Sequence, residues 1–401
     1  MLKVGSDFSG VGAFNQALRR LGVEYKEVFA CDMDKYARQT YIENYGEPDY
    51  YPENVYNREI PKEPLDIYMT SPPCQAFSLA GKRKGEDDKR GVLFYNSHEF
   101  IQVNKPRYFI FENVKGLLSD AKGRTFQIWL DMLGAKSVNG NPVIFPREDA
   151  TPYHIYHKVL NAKNYGVPQN RERVFIIGIR NDADNNFTFP KKQHLTKRLK
   201  DILEDNVGEK YYLSDTMIEG LINNGKKEFI NQDTQASQVF DEDGNSPTLS
   251  SGTHGYAQGY VKVKSATKQG YEIATENDSI NLSNLSSETR RGRVGKEVAQ
   301  TLDTACNQGV VKWIQGGLQK NQPQQTNGIS PCLTSAMGMG GGQTPIHNYQ
   351  QKIRRLTPRE CFRLMDFPDS FTWSVSDTQA YKQAGNSIVV NVLAEILKKL
   401  I

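Results

Sequence analysis

The fold is indicated by one stretch of the chain, Leu65-Asp66-Ile67-Tyr68-Met69-Thr70-Ser71-Pro72-Pro73-Cys74-Gln75-Ala76. Its first half is an apolar run typical of a strand, and its second half is a loop stiffened by two prolines. Loops that leave the ends of strands are where α/β enzymes present reactive side chains. A free cysteine is often only a small buried hydrophobe. The rigid flanks nevertheless favour Cys74 as a catalytic thiol.

Strand-like runs alternate with helical patterns through residues 1–180. The runs lie at 2–5, 27–30, 67–69, 108–111 and 173–179. A helix with Phe14, Leu18 and Leu21 on one face ends at Gly22. This alternation predicts an α/β fold, with a mostly parallel sheet and helices on both faces.

Composition changes after Arg180, where Asn, Gln, Gly, Ser and Thr become dense. We therefore expect a catalytic and cofactor-binding domain at 1–180 and a second, smaller β-rich domain at 181–353. Residues 354–401 would close the chain with a helix that returns to the first domain. Inside the middle region, short segments around Leu249, Leu302 and Leu333 share a pattern. They are either similar hairpins of one sheet or a set of binding loops.

Composition restricts the environment and the partners. A formal charge of +4 is nearly balanced, so only local basic clusters point to phosphate contacts, and each is also typical of a solvated face. The five cysteines show no framework spacing, which predicts a reducing, cytoplasmic setting. No metal-ligand spacing, signal peptide or membrane-spanning run is visible, so neither a metal nor a membrane is expected.

Further motifs accompany the Pro-Cys-Gln element in a fixed order. They are FSGVG at 8–12, FENV at 111–114, QNRER at 169–173, RRLTPRE at 354–360 and QAGNS at 383–387. This ordered set resembles the DNA cytosine-5 methyltransferases of bacterial or phage type. The resemblance covers 1–180 and 353–401, and it implies a Rossmann-like S-adenosylmethionine-dependent domain with a target-recognition domain at 181–353. It also implies methyl transfer to C5 of a cytosine in a specific duplex DNA sequence.

The catalytic residues that we expect are Cys74, Glu112, Arg171 and Arg173. Cytosine C5 is a poor nucleophile until a thiolate adds to C6, and Cys74 is the candidate. Glu112 follows four apolar residues, so its pKa should be raised and it can protonate N3. Strand alternation would put Arg171 and Arg173 on one face, where they hold the cytosine O2, orient Glu112 or bind phosphate. Structural salt bridges are the alternative for the two arginines.

The cofactor site would gather residues from the ends of several strands. Asp32 ends the second strand, where a carboxylate accepts hydrogen bonds from ribose hydroxyls. The resemblance implies S-adenosyl-L-methionine and assigns the cofactor contacts to Phe8, Gly10, Gly12, Asp32, Met33, Asn54, Val55, Pro73, Asn386 and Ser387. One departure is visible, because the common pattern Asp-Leu-Phe is replaced by Ser6-Asp7-Phe8. The carboxylate therefore lies one residue later.

Contacts with DNA are expected from two places. The glycine-containing, charged segment 79–94 resembles the family's catalytic loop, which closes over a base turned out of the duplex. We assign the DNA contacts to Gln75, Ser78, Lys82, Arg83, Arg90, Arg290, Arg291 and Arg293. Double-stranded DNA is thus the expected partner, a cognate restriction endonuclease is a candidate functional partner, and the chain is expected to be a monomer. An RNA cytosine-5 methyltransferase and a catalytically silent DNA-binding relative remain the alternatives.

Overall fold

The computed structural model describes residues 1–72, 93–184, 186–214, 261–285, 287, 289–316 and 348–401. The chain forms two compact units. The first comprises Met1–Arg198, Thr301–Cys306 and Pro358–Ile401, and the second comprises Leu199–Gln300 and Asn307–Thr357. The bounds predicted at 180 and 353 therefore move to Arg198 and Thr357. The segment Pro358–Ile401 belongs to the same compact unit as Met1–Arg198.

The first unit is built on a mixed sheet. The sheet contains β1 (Leu2–Asp7), β2 (Tyr25–Cys31), β3 (Ile67–Thr70), β4 (Tyr108–Val114), β5 (Ser137–Val138), β6 (Asn141–Pro142), β7 (Tyr153–Asn161) and β9 (Glu172–Arg180). The short strand β8 (Gln169–Asn170) precedes β9 and is not part of this sheet. The described residues give the order β2-β1-β3-β4-β9-β7-β5-β6. The first four strands are parallel, and β9 runs antiparallel between β4 and β7. The predicted α/β class is confirmed.

Helices of the first unit are α1 (Ala13–Arg20), α2 (Lys35–Tyr45), α3 (Leu93–Asn104), α4 (Arg124–Leu133), α5 (Pro358–Leu364), α6 (Asp377–Asn386) and α7 (Val390–Leu397). Aromatic side chains fill much of the core, including Phe29, Phe100, Phe109, Phe111 and Trp129. Burial of such large apolar surfaces is the main stabilising contribution to this unit. None of the helices that the structure describes has the length and apolar character needed to cross a membrane.

The second unit is rich in β structure, as predicted. Its strands are β10 (Val261–Lys264), β11 (Tyr271–Ala274), β12 (Ser279–Asn281), β13 (Val294–Gly295), β14 (Ala299–Gln300), β15 (Gln308–Gly316) and β16 (Asn348–Arg355). Strands β13-β12-β15-β16 form an antiparallel sheet, and β10 pairs with β11. Val263, Ile280, Val311 and Ile353 lie in a shared apolar core.

Of the three leucine-centred segments, the structure describes the one around Leu302. The segments around Leu249 and Leu333 lie outside the described residues. Leu302 is buried, and its segment, 299–304, is divided: Ala299–Gln300 form β14 of the second unit, whereas the residues from Thr301 onwards belong to the first unit. The hairpin interpretation is therefore wrong for Leu302, because its backbone bonds to Gln169 and Arg171 of the first unit.

Candidate active site

Three neighbouring parallel strands end at the same edge of the sheet. Asp7 of β1 pairs with Thr70 of β3, and Thr70 pairs with Phe111 of β4. The ends of these strands are therefore adjacent. The turn that begins at Phe8 follows β1, the segment that begins at Ser71 follows β3, and Glu112 lies next to Phe111 in β4. This edge of an α/β sheet is where ligands ordinarily bind.

Asp32 organises the turn after β1. Its Oδ2 accepts a hydrogen bond from the Gly10 N–H at 2.8 Å, and its Oδ1 accepts one from the Asp34 N–H at 2.8 Å. Burial raises the pKa of Asp32, while these hydrogen bonds oppose that change. A carboxylate oxygen can accept more than one hydrogen bond, so Asp32 retains capacity for ribose hydroxyls.

The two glycines of this turn have different roles. Gly10 has φ +55°, and a Cβ added there would meet nothing within 4 Å. Its backbone therefore faces open space, as a ligand cradle requires. Gly12 has φ +81°, and its added Cβ would lie 2.2 Å from Cε2 of Tyr45. The missing side chain at Gly12 thus makes room for the Tyr45 ring of α2, and the cofactor contact predicted for Gly12 stays a prediction.

The other predicted cofactor residues differ in the exposure and the hydrogen bonds of their side chains. Met33 is 84% exposed and free to cover a ligand. The Asn54 Oδ1 accepts a hydrogen bond from the Tyr56 N–H at 2.9 Å. Val55 is buried in the apolar core, so only its backbone remains for a cofactor contact. The Ser6 Oγ is buried without a hydrogen-bond partner among the described residues, which leaves a polar group to be satisfied beside the turn. These features fit a polar nucleoside-bearing cofactor.

Glu112 and Arg173 form an ion pair at the end of β4. The Glu112 Oε1 lies 3.1 Å from the Arg173 Nε, and the Glu112 side chain is 10% exposed. Burial raises the pKa of Glu112, while the positive charges of Arg173 and Arg171 oppose that change. The raised pKa has the direction expected for a carboxyl group that gives a proton to a substrate, and the catalytic role of Glu112 stays a prediction.

Arg171 does not share this ion pair. It lies between β8 and β9, so the strand alternation that would align it with Arg173 is interrupted. Its guanidinium donates to the carbonyl oxygens of Leu302 at 3.0 Å, Gly385 at 3.0 Å and Ser387 at 2.8 Å. Because the buried Arg171 guanidinium donates hydrogen bonds to these three carbonyl oxygens, it links the Thr301–Cys306 segment to the end of α6. The expectation that it acts directly with Glu112 is corrected. Ser387 is likewise buried, whereas Asn386 is exposed.

Several predicted site residues lie outside the described part of the chain. They are Pro73, Cys74, Gln75, Ser78, Lys82, Arg83 and Arg90. The structure does describe the two ends of the segment that contains them. Thr70 Oγ1 lies 2.8 Å from Ser97 Oγ, so the end of β3 is bonded to α3.

The neighbouring arginines of the second unit, Arg290, Arg291 and Arg293, differ in how far their side chains are buried. Arg293 is 1% exposed, and its guanidinium donates to the carbonyl oxygens of Asn281, Ser283 and Asn284. A DNA contact by the Arg293 side chain is therefore a wrong prediction, because the side chain is enclosed by its own unit. Arg291 is exposed and Arg290 is half-buried, so both remain predicted DNA contacts.

A buried polar group at the edge of the site was missed by the sequence reasoning. Asp7, Arg58 and Tyr68 bond to one another beneath the turn that begins at Phe8. The displaced carboxylate in Ser6-Asp7-Phe8 was the available signal. Its two partners are remote in sequence and had no distinguishing pattern.

Comparisons with known proteins agree with this geometry. The family model for C-5 cytosine-specific DNA methylase matches residues 2–401. The orphan methyltransferase M.SPRI of Bacillus phage SPR is 32% identical over 473 aligned positions, which cover 100% of this chain and 97% of that protein. The type II methyltransferase M.HpaII of Haemophilus parainfluenzae is 31% identical over 398 positions, covering 98% and 87%.

Solved structures support the same fold. A DNMT2 mutant from Spodoptera frugiperda has a TM-score of 0.57 at 20% identity, with 100% of this chain and 99% of that chain covered. A putative DNA modification methyltransferase from an E. coli prophage has a TM-score of 0.56 at 20% identity, covering 100% and 98%. At these identities the likeness shows the fold alone.

The chain belongs to the C-5 cytosine-specific DNA methylase family. It is a DNA (cytosine-5-)-methyltransferase with S-adenosylmethionine as methyl donor. The predicted family, enzyme class, cofactor and DNA substrate are thereby confirmed.

Proposed function

We propose that this enzyme methylates one cytosine of a specific duplex DNA sequence through a covalent bond from Cys74 to C6 of the base. The observation that carries the proposal is the buried Glu112–Arg173 pair at the end of β4. It adjoins the end of β3, which leads into Ser71-Pro72-Pro73-Cys74. Cys74 lies four positions after Thr70, a span of at most about 14 Å. The thiol is therefore within chain reach of the carboxyl group.

Each group has a separate task in this scheme. The Cys74 thiolate adds to C6 while Glu112 gives a proton to N3, so the C5–C6 double bond becomes an enamine that is nucleophilic at C5. Bound S-adenosylmethionine supplies an electrophilic methyl group. After methyl transfer, a base removes the C5 proton, the bond from sulfur to C6 breaks, and Glu112 recovers its proton from N3. In this proposal Arg173 orients Glu112 and holds the cytosine O2.

Base extrusion follows from the geometry of duplex DNA. C6 of a stacked, paired cytosine is inaccessible to a side chain, so the target base must leave the helix. We propose that the segment containing Gln75, Ser78, Lys82, Arg83 and Arg90 contacts the DNA around this base. Exclusion of water by such contacts would also strengthen the hydrogen bonds inside the site.

A covalent trap tests this function. Bisulfite sequencing of DNA from a methylation-free host that expresses the chain first gives the target sequence. A duplex with 5-fluorocytosine at that target should then form a denaturant-resistant complex when S-adenosylmethionine is present, because fluorine cannot leave C5 as a proton does. The same duplex with cytosine is the control. Methylation without any trapped complex would contradict the covalent route.

We also propose that the second unit selects the target sequence. It carries Arg290 and Arg291, and none of the catalytic candidates lies in it. Replacement of Leu199–Gln300 and Asn307–Thr357 by the matching regions of a relative should transfer the relative's specificity. Thr301–Cys306 is retained, because Leu302 bonds to Arg171. Bisulfite sequencing reads the outcome, and a folded, active chimaera that keeps the original target would refute the assignment.

Two finer points concern context. The relatives include both an orphan phage enzyme and type II enzymes. A cognate restriction endonuclease therefore remains a candidate functional partner, and restriction-modification a candidate setting. We propose that the enzyme works as a monomer in the cytoplasm, where its DNA substrate is found. Comparison of methyl incorporation into duplex DNA and tRNA tests the RNA alternative, and the covalent trap tests the catalytically silent one.

A further inference from the structure

The polar cluster beneath the cofactor turn consists of Asp7, Arg58 and Tyr68. The Arg58 Nε lies 2.8 and 2.9 Å from the two Asp7 carboxylate oxygens, and its Nη2 lies 2.7 Å from Oδ2. The Tyr68 hydroxyl donates to the same Oδ2 at 2.5 Å. The Arg58 and Asp7 side chains are 2% and 0% exposed. This is a fully buried, bidentate ion pair with a third partner.

Stability alone does not account for such a cluster. The free-energy cost of removing two charges from water offsets most of the energy of their attraction. Apolar side chains of similar volume often stabilise a core equally well. Burial by itself would lower the pKa of Arg58, but the hydrogen bonds and charge of Asp7 raise it above its ordinary value. Arg58 therefore keeps its positive charge in the folded enzyme.

The cluster connects the segments that frame the active site. Asp7 ends β1 and directly precedes Phe8, while Tyr68 lies in β3, which leads towards Cys74. The Arg58 Nη2 also donates to the Asn96 carbonyl oxygen of α3 at 3.1 Å. Helix α3 begins at residue 93, shortly after the segment that carries Cys74.

One aromatic ring packs against two members of the cluster. The Phe100 ring of α3 stacks on the Tyr68 ring with centroids 4.1 Å apart. The Arg58 guanidinium lies 4.6 Å from the centroid of the same Phe100 ring. The cluster thus contacts both the strand before the Cys74 segment and the helix after it.

We infer that Asp7, Arg58 and Tyr68 are positioning residues that set the cofactor turn in register with both ends of the segment carrying Cys74. Bidentate hydrogen bonds specify distance and angle, which apolar contacts do not. The cluster acts through the backbone that continues from Asp7 to Phe8 and from Tyr68 to Ser71, and through the Asn96 carbonyl oxygen. This inference rests on the proposed role of Cys74.

A triple variant separates positioning from stability. Asp7→Leu, Arg58→Met and Tyr68→Phe together replace the cluster by apolar groups and leave no unpaired charge. We expect an unfolding midpoint at or above that of the parent, weaker S-adenosylmethionine binding by calorimetry, and a kcat/KM lower by about 10- to 100-fold. A folded triple variant with the parent's affinity and kcat/KM would overturn the inference.

A single substitution with a matched control decides the question if the triple variant does not fold. Tyr68→Phe keeps the ion pair and the ring stacking but removes the hydroxyl from Asp7. Tyr153→Phe removes an equally buried hydroxyl from the same sheet, where it donates to the Pro106 carbonyl oxygen at 2.6 Å. We expect Tyr68→Phe to lower kcat and Tyr153→Phe to leave kcat unchanged. Equal kcat values for the two full-length variants would refute the positioning role.

Measurement of cofactor affinity distinguishes the hypothesis that Cys74 is the nucleophile from the hypothesis that the cluster positions the cofactor turn. Binding of S-adenosylmethionine to the parent and to the triple variant requires no reaction at Cys74. If the parent failed to trap 5-fluorocytosine DNA, the proposed nucleophile would be wrong. A weaker affinity of the triple variant would still support the cluster's effect on the cofactor turn, and an unchanged affinity would refute it.

Discussion

Replacement of Cys74 by alanine is expected to abolish methyl transfer, with a fall in kcat of about 10⁴-fold or more. The thiolate makes the only covalent bond to the base in the proposed scheme, and no other group activates C5. Incorporation of labelled methyl groups into duplex DNA measures the loss. The cofactor turn, with Gly10 bonded to Asp32, is formed without Cys74. S-adenosylmethionine binding by calorimetry should therefore be unchanged.

Buried cysteines elsewhere in the first unit supply the control for this substitution. Cys31 and Cys361 are buried, and burial raises the pKa of each thiol, to about 12 for Cys31. Such thiols remain protonated and are poor nucleophiles. Cys31→Ala should therefore reduce stability while the 5-fluorocytosine complex still forms. Normal turnover by the Cys74→Ala enzyme would exclude the covalent mechanism.

Replacement of Glu112 by glutamine is expected to lower kcat by about 10²–10⁴-fold, because glutamine has no acidic proton to transfer to N3. Burial raises the pKa of Glu112, and the protonated carboxyl group is the active form. Activity of the parent should therefore fall as pH rises through the pKa of Glu112 in the folded enzyme. The Glu112→Gln enzyme should lack this dependence. Steady-state rates across a pH series measure both effects.

Glu27 offers a matched control for Glu112. Burial also raises the pKa of Glu27, whose carboxylate accepts hydrogen bonds from Asn15 and Tyr41 on the helices beside β2. Glu27→Gln should alter stability and leave the shape of the pH profile unchanged. If Glu112→Gln retained the parent's rate and pH dependence, N3 protonation would have to come from another group.

The first unit was largely predictable from local sequence. Its parallel strands are short apolar runs separated by amphipathic helices, so the α/β class and the strand positions followed from periodicity. The Glu112 environment was also predictable, because four apolar residues precede it in one strand. Positions at strand ends, such as Asp32, follow from the same rule. These properties depend on neighbours in sequence.

Contacts between distant segments were not predictable in this way. The neighbouring sequence does not distinguish Arg171 from Arg173. In the structure, Arg171 is buried and donates hydrogen bonds to carbonyl oxygens, whereas Arg173 forms an ion pair with Glu112. The same holds for Arg293, whose basic neighbours suggested a surface patch while the fold enclosed its guanidinium. An arginine is long enough to reach either solvent or a carbonyl, so its environment depends on which segments pack around it.

The sequence by itself determined the family, the chemistry and the order of the motifs, since these depend on residue types at set spacings along the chain. Only the tertiary structure decided how the displaced carboxylate of Asp7 is used. Its partners Arg58 and Tyr68 are 51 and 61 residues away. A buried charge must find its partner wherever the fold supplies one, and that choice is made in three dimensions.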